Sequence, residues 1–137
     1  MMRPLKVLIL EDDPFQLMVL HQMLNAFRIF DVLTAVSVDC ARNSLLKSGG
    51  IDVAICDLNM QGASGLELIS ELALKRKASA LIILNATEPQ VVEMAVCMAR
   101  KQGLKVLGCL PKPVTIGGLG QLLESYRSSF LRTGSAN

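Results

Sequence analysis

Residues 51–57 read IDVAICD, a nearly continuous apolar run that stops at Asp57. Ile51–Cys56 has the length of a strand and shows no alternation, so both of its faces should be buried. That is the pattern of a parallel sheet covered on two sides. Working outward, Leu5–Leu10 (LKVLIL), Ala80–Leu84 (ALIIL) and Lys105–Leu110 (KVLGCL) repeat it, and Phe30–Val36 (FDVLTAV) adds a β-branched strand. Helical periods fall between these runs. Leu17, Leu20, Leu24 and Phe27 step by three and four, with Asp13 as N-cap and Pro14 in the first turn. A second helix fits Asp39–Lys47, closed by Gly49-Gly50. A third spans Gly65–Lys77 and a fourth Pro89–Gln102, closed by Gly103. The last carries Leu119, Leu122, Leu123, Tyr126 and Phe130 on one stripe. The order βαβαβαβαβα predicts right-handed crossovers and a doubly wound five-stranded parallel sheet in one α/β domain over residues 1–131. Residues 132–137 are predicted to be a flexible tail, or the start of a linker to an output domain, because Thr133–Asn137 is small and polar.

The composition removes several function classes. Apolar residues are 51% and charged residues 19%, which excludes a disordered chain. A net charge of +2 and a pI near 8.4 argue against direct nucleic-acid binding, which wants a dense basic stripe. Lys75-Arg76-Lys77 is read as cations suited to a helix C-terminus. Cys40, Cys56, Cys97 and Cys109 lack metal-ligand spacing. Cys56 and Cys109 read as small buried hydrophobes, and the thiols as the reduced cysteines of a cytoplasmic protein. No apolar stretch reaches the roughly 20 residues that cross a membrane, and the N-terminus has no signal-peptide pattern. His21 is the single histidine, mid-helix and expected at the surface, which excludes a His pair and leaves a Cys–His dyad without support.

In a doubly wound sheet, function collects beyond the carboxyl ends of the strands. Glu11-Asp12-Asp13 follow the first strand and Asp57-Leu58-Asn59 the third. Asn85-Ala86-Thr87 follow the fourth, and Lys112, between Pro111 and Pro113, follows the fifth. Converging carboxylates repel, and a bound cation relieves them. All-oxygen ligation suits a hard ion, Mg²⁺ before Ca²⁺. A carboxylate beside Mg²⁺ and an ammonium can attack a phosphoryl donor. Helix capping accounts for Asp13 but not for Asp57, Glu11 or Asp12. A flavodoxin-like nucleotide binder would need a small-residue phosphate loop after the first strand, where three acids stand. A haloacid-dehalogenase-like phosphatase would need Asp-x-Asp where this chain has Asp57-Leu58-Asn59.

These motifs resemble those of response-regulator receiver domains, over residues 5 to about 130. They are Glu11-Asp12, Asp57, Gly65-Leu66-Glu67-Leu68 opening a helix, and Lys112-Pro113. The resemblance implies a flavodoxin-like (βα)5 fold with strand order 2-1-3-4-5. It implies Asp57 as phosphoacceptor, Asp12 as direct Mg²⁺ ligand, Glu11 acting through water, the Asn59 backbone carbonyl completing the metal site, and Lys112 pairing with the phosphoryl group. It implies a cis Lys112–Pro113 bond. It also implies a signalling module rather than a turnover enzyme, served by a histidine kinase or phosphotransfer protein and coupled to an output domain.

Three positions depart from the family pattern: Asn85 where Ser or Thr is usual, Cys109 where Tyr or Phe is usual, and Gln61 where Pro is common. Asn85 can still donate through its amide. Cys109 is too small for a rotating wedge, so the usual hydroxyl–aromatic relay is not expected. The alternative is a degenerate receiver used for phosphorylation-independent dimerisation or docking. The opening EDDPFQ (residues 11–16) and LGCLPKP (107–113) resemble receivers fused to EAL-type cyclic-di-GMP phosphodiesterase domains. The fourth helix is apolar nearly all round. Met94, Cys97 and Met98 are therefore expected to form a partner surface, with a homodimer as the favoured partner.

Overall fold

The computed structural model describes residues 4–60, 65–84 and 88–136, with side chains through Ser129. The elements are β1 (Lys6–Leu10), α1 (Pro14–Ala26), β2 (Asp31–Ala35), α2 (Val38–Ser48), β3 (Ile51–Asp57), α3 (Gly65–Leu74), β4 (Ala78–Leu84), α4 (Pro89–Lys101), β5 (Lys105–Leu110) and α5 (Ile116–Ala136). The strands form one sheet in the order β2-β1-β3-β4-β5, and every neighbouring pair is parallel. This is the fold that the alternation of runs and helices implied.

The missing alternation has a direct cause. Successive side chains of a strand point to opposite faces, and here each face meets its own core. Leu8, Leu10, Ala54, Cys56, Leu81 and Ile83 pack under α2, α3 and α4, against Leu45, Leu68, Leu72, Ala95 and Ala99. Val7, Ile9, Val53, Ile55, Ile82 and Leu84 pack against Leu20, Leu24, Leu119 and Leu123 of α1 and α5. All seven residues of β3 are buried, including Asp57 at its carboxyl end. Among the described residues no helix is long and apolar enough to cross a membrane.

Local signals set the helix starts. The Asp13 carboxylate accepts the Phe15 and Gln16 N–H groups at 2.9 and 3.5 Å, and Pro14 occupies the first turn. Ser37 caps α2 through the Cys40 N–H, so that helix begins at Val38, one residue ahead of the expected start.

Several expectations need correction. Cys109 is exposed, not a buried hydrophobe. β5 is an edge strand, and its register shifts so that Leu81 pairs with Val106 but Ile82 with Gly108, leaving Leu107 over as a bulge. The bulge turns Leu107 and Leu110 toward the α1–α5 core and leaves Cys109 outside it. α3 ends at Leu74, so Lys75–Lys77 lie beyond its last turn rather than in it. In α4, Ala95 and Ala99 reach the core and Met98 packs partly against it, while Met94 and Cys97 are exposed. Met98 is thus only partly available as a contact residue.

Candidate functional site

Strand register builds the site. Leu10 pairs with Cys56 across β1 and β3, so the residues that follow, Glu11 and Asp57, stand side by side at the carboxyl edge. Glu11 is held there by its N–H bond to the Ala35 carbonyl of β2, at 3.0 Å. Both carboxylates are buried, at 0% and 1% exposure, whereas Asp12 remains partly accessible. One oxygen from each of Glu11, Asp12 and Asp57 lies within 4.8 Å of the others.

Lys112 arrives from the loop after β5. Its Nζ lies 2.6 Å from Asp57 Oδ2, to which it donates a hydrogen bond, and 2.6 Å from Glu11 Oε1. The Lys112–Pro113 peptide is cis, as the resemblance implied. Asp57 Oδ1 accepts the Asn59 N–H at 2.7 Å, and Glu11 Oε2 accepts the Asp13 N–H at 3.2 Å. Glu11 Oε1 is buried without an aligned hydrogen bond, so its contact with Lys112 is ionic. The donor set is therefore hard oxygen throughout, one buried oxygen lacks a directed partner, and one acid faces solvent. That combination fits a small divalent cation.

The charges act on one another. Burial raises the Glu11 pKa above its ordinary value, the Asp57 charge adds to this, and Lys112 opposes it. Burial alone would lower Lys112, but its hydrogen bond to Asp57 and the charges of Asp57 and Glu11 prevail and raise it. Burial, helped by the Asp57 charge, pushes the Cys56 thiol up to about 12, so it stays protonated beside the site.

One contributor was not legible as such in the sequence. A Cβ added to Gly65 would stand 2.3 Å from the Asp57 carbonyl oxygen and 3.3 Å from Leu58 Cα. The first turn of α3 thus rests on the backbone that carries Asp57, and only glycine permits that approach. The sequence marked Gly65 only as the opening of a helix. A cavity of about 470 Å³ between α1 and Pro113–Val114 also opens on Glu11 and Lys112, with Phe15 exposed at its rim.

The structure brings together Glu11, Asp12, Asp57 and Lys112, and places the Asn59 backbone against Asp57. Asn85 and Gln61 lie outside the described residues. Cys109 sits on the edge strand, and Met94 and Cys97 sit on α4.

Five parallel strands in the order 2-1-3-4-5, with buried acids and a lysine at the carboxyl edge, define a flavodoxin-like domain built around an acidic pocket. The chain belongs to the response regulator receiver domain family, whose model matches residues 7–124. It is 33% identical over 127 residues to the cyclic di-GMP phosphodiesterase RocR of Pseudomonas aeruginosa. That match covers 93% of this chain and 32% of RocR, so the chain spans about a third of that relative's length. A response regulator from Colwellia psychrerythraea superposes with a TM-score of 0.72 at 25% identity, covering 92% of this chain and 99% of that one. The Vibrio cholerae chemotaxis protein CheY4 shares the fold, with a TM-score of 0.74 at 22% identity, over 90% of this chain and 99% of its own.

Proposed function

We propose that this receiver accepts a phosphoryl group on Asp57 in a Mg²⁺-dependent reaction, and that the added charge regulates an output domain or partner. The observation that carries the reading is the Lys112 ammonium, 2.6 Å from Asp57 Oδ2 in a largely buried pocket. An Asp57 carboxylate oxygen attacks phosphorus. The new O–P bond forms as the donor's P–N or P–O bond breaks, and the leaving group takes up a proton from solvent. Lys112 stays in place to neutralise the incoming phosphoryl oxygens, while the Asn59 N–H keeps the other carboxylate oxygen oriented. Asp12, Asp57 and the Asn59 carbonyl would hold the metal, with Glu11 acting through water. When bound, Mg²⁺ supplies positive charge that offsets the clustered acids and the transferred group. The donor is a histidine kinase or phosphotransfer protein. Likeness to a cyclic di-GMP phosphodiesterase over the length of this chain supports an output of that kind.

The deciding experiment is intact-mass analysis after incubation with acetyl phosphate and Mg²⁺. A single phosphoryl adduct is expected, lost on chelation and in Asp57→Asn. No adduct in the wild type, or full labelling of Asp57→Asn, overturns the assignment. The exposed Cys109, in place of a relay aromatic, favours a second reading, a docking module that does not depend on phosphorylation. The same experiment separates the two.

A further inference from the structure

The second polar feature of this domain lies at the opposite edge of the sheet. In a (βα)5 fold every helix ends at the amino edge of the strands. Here the ends of α2, α3 and α4 bring Lys47, Lys75, Arg76, Lys77, Arg100 and Lys101 to that edge. Of the acids beside them, Asp52 is buried, Asp31 lies 4.0 Å from Lys6, and Glu71, near Lys75, is held by Arg42. Among the described residues, no carboxylate forms an ion pair with Lys47, Arg76 or Lys77. A net charge of +2 over the whole chain conceals this polarity.

Lys75, Arg76 and Lys77 follow the C-terminus of α3, and helix-dipole compensation accounts for only part of this density. The last turn of α3 contains no basic residue. Three of its last four carbonyls, those of Glu71, Ala73 and Leu72, accept the N–H groups of Lys75, Arg76 and Lys77 at 2.9, 3.3 and 3.0 Å. Arg76 also holds a left-handed φ of 52° and is exposed. Between α2 and α3 a cavity of about 180 Å³ leads to this cluster, floored by Leu45 and Leu72 and bounded by Lys75, Lys77 and the Arg42–Glu71 ion pair, whose charges offset each other and leave the two lysines in excess. Leu46, also lining it, is 79% exposed, and Leu74, next to Lys75, is 62% exposed.

We infer that the α2–α3 groove is a docking site for an acidic peptide segment carrying apolar anchors. Its cations match carboxylates, and its exposed leucines match apolar side chains. A phosphate backbone would use the cations but not the leucines. A membrane would need the leucines on a convex surface, whereas a groove receives a chain.

The probe is a synthetic peptide of about twelve residues, three helical turns, with leucines on one face and glutamates beside them. It is titrated into the full chain and read by backbone amide shifts. Shifts are expected at residues 45–48 and 72–77. Binding should weaken at least tenfold in Lys75→Glu/Lys77→Glu and in Leu46→Ser, all solvent-accessible changes that leave Asp57 labelling intact. A peptide with lysine for glutamate should not bind. The inference fails if the shifts lie elsewhere or are absent, or if the charge reversal leaves affinity unchanged. It also fails if duplex DNA or phosphatidylserine vesicles bind this edge more tightly than the peptide. Self-association of the chain through this groove, abolished by the same reversal, would replace the peptide with a second copy and overturn it too.

Discussion

Gly65 and Asp57 are in backbone contact, so close that a methyl group on the first would stand 2.3 Å from the carbonyl oxygen of the second. The partner atom is main chain at the end of a fully buried strand and cannot swing aside. Gly65→Ala should therefore push α3 away from β3. The expected cost is about 1–3 kcal/mol, the range for overpacking a tight site. Thermal unfolding reads the cost, and acetyl phosphate labelling should fall with it. An alanine variant with unchanged melting and labelling would show that α3 shifts freely.

Lys112 is the counter-charge that lets two buried carboxylates coexist. Lys112→Met should destabilise the metal-free domain by about 3 kcal/mol, because it leaves both acids buried and unpaired. Asp57→Asn should cost much less, since Lys112 then still pairs with Glu11. Adding Mg²⁺ should recover part of the Lys112→Met loss. Chemical denaturation with and without Mg²⁺ measures all three, and equal costs for the two variants would contradict the pairing.

Glu11 gives a pH signature. Its folded pKa is raised, chiefly by burial, above the ordinary 4.5. The native state therefore binds more protons than the unfolded chain from about pH 4.5 up to the folded pKa. In that window Glu11 makes stability fall as pH rises. Glu11→Gln should remove this component, so the metal-free variant gains on the wild type across the window. Melting temperatures of both proteins at a series of pH values give the difference curve. A curve that slopes the other way would mean that Lys112, not burial, dominates Glu11.

What the sequence disclosed follows from how local each cause is. Asp57 and Glu11 were legible because each directly follows an apolar run, and parallel pairing puts such residues together. The Gly65–Asp57 contact was hidden because it joins a helix start to a strand end across residues with no periodic signal. Cys109 was misread because KVLGCL looks like its neighbours, although β5 is an edge strand and its bulge at Leu107 changes which residues face inward. Arg42 binds Glu67 and Glu71 at 2.6 and 2.5 Å across 25 and 29 residues, a clamp between α2 and α3 that no spacing rule announces. The run Lys75-Arg76-Lys77 is plain in the sequence, but that Lys47, Arg100 and Lys101 share its edge depends on where the helices end in the fold.

The switch should not run through β5. Cys109 offers neither the bulk nor the ring of a rotating aromatic, and it is already exposed. Phosphoryl charge at Asp57 should instead bias the segment between β4 and α4. With beryllofluoride as the phosphoryl mimic, hydrogen exchange should change most in α4 and the residues before it, with little change in Lys105–Leu110. Changes centred on Cys109 with a silent α4 would show that the ordinary relay survives.

The α4 surface can now be tested more sharply than its composition allowed. Met94 is 60% exposed and Cys97 is exposed, whereas Met98 packs partly against the core beneath α2, α3 and α4. A charge at these positions should therefore do different things. Met94→Glu falls on a mostly exposed position outside the core, so folding should be little affected, and a dimer built on this face should be lost. Met98→Glu buries part of a carboxylate among apolar side chains, and should cost about 2 kcal/mol of stability whatever the oligomeric state. Sedimentation of the wild type and Met94→Glu, alongside the melting of both variants, separates the two effects. If the wild type stays monomeric at high concentration, the exposed methionine serves no self-contact, and the dimer reading of α4 falls.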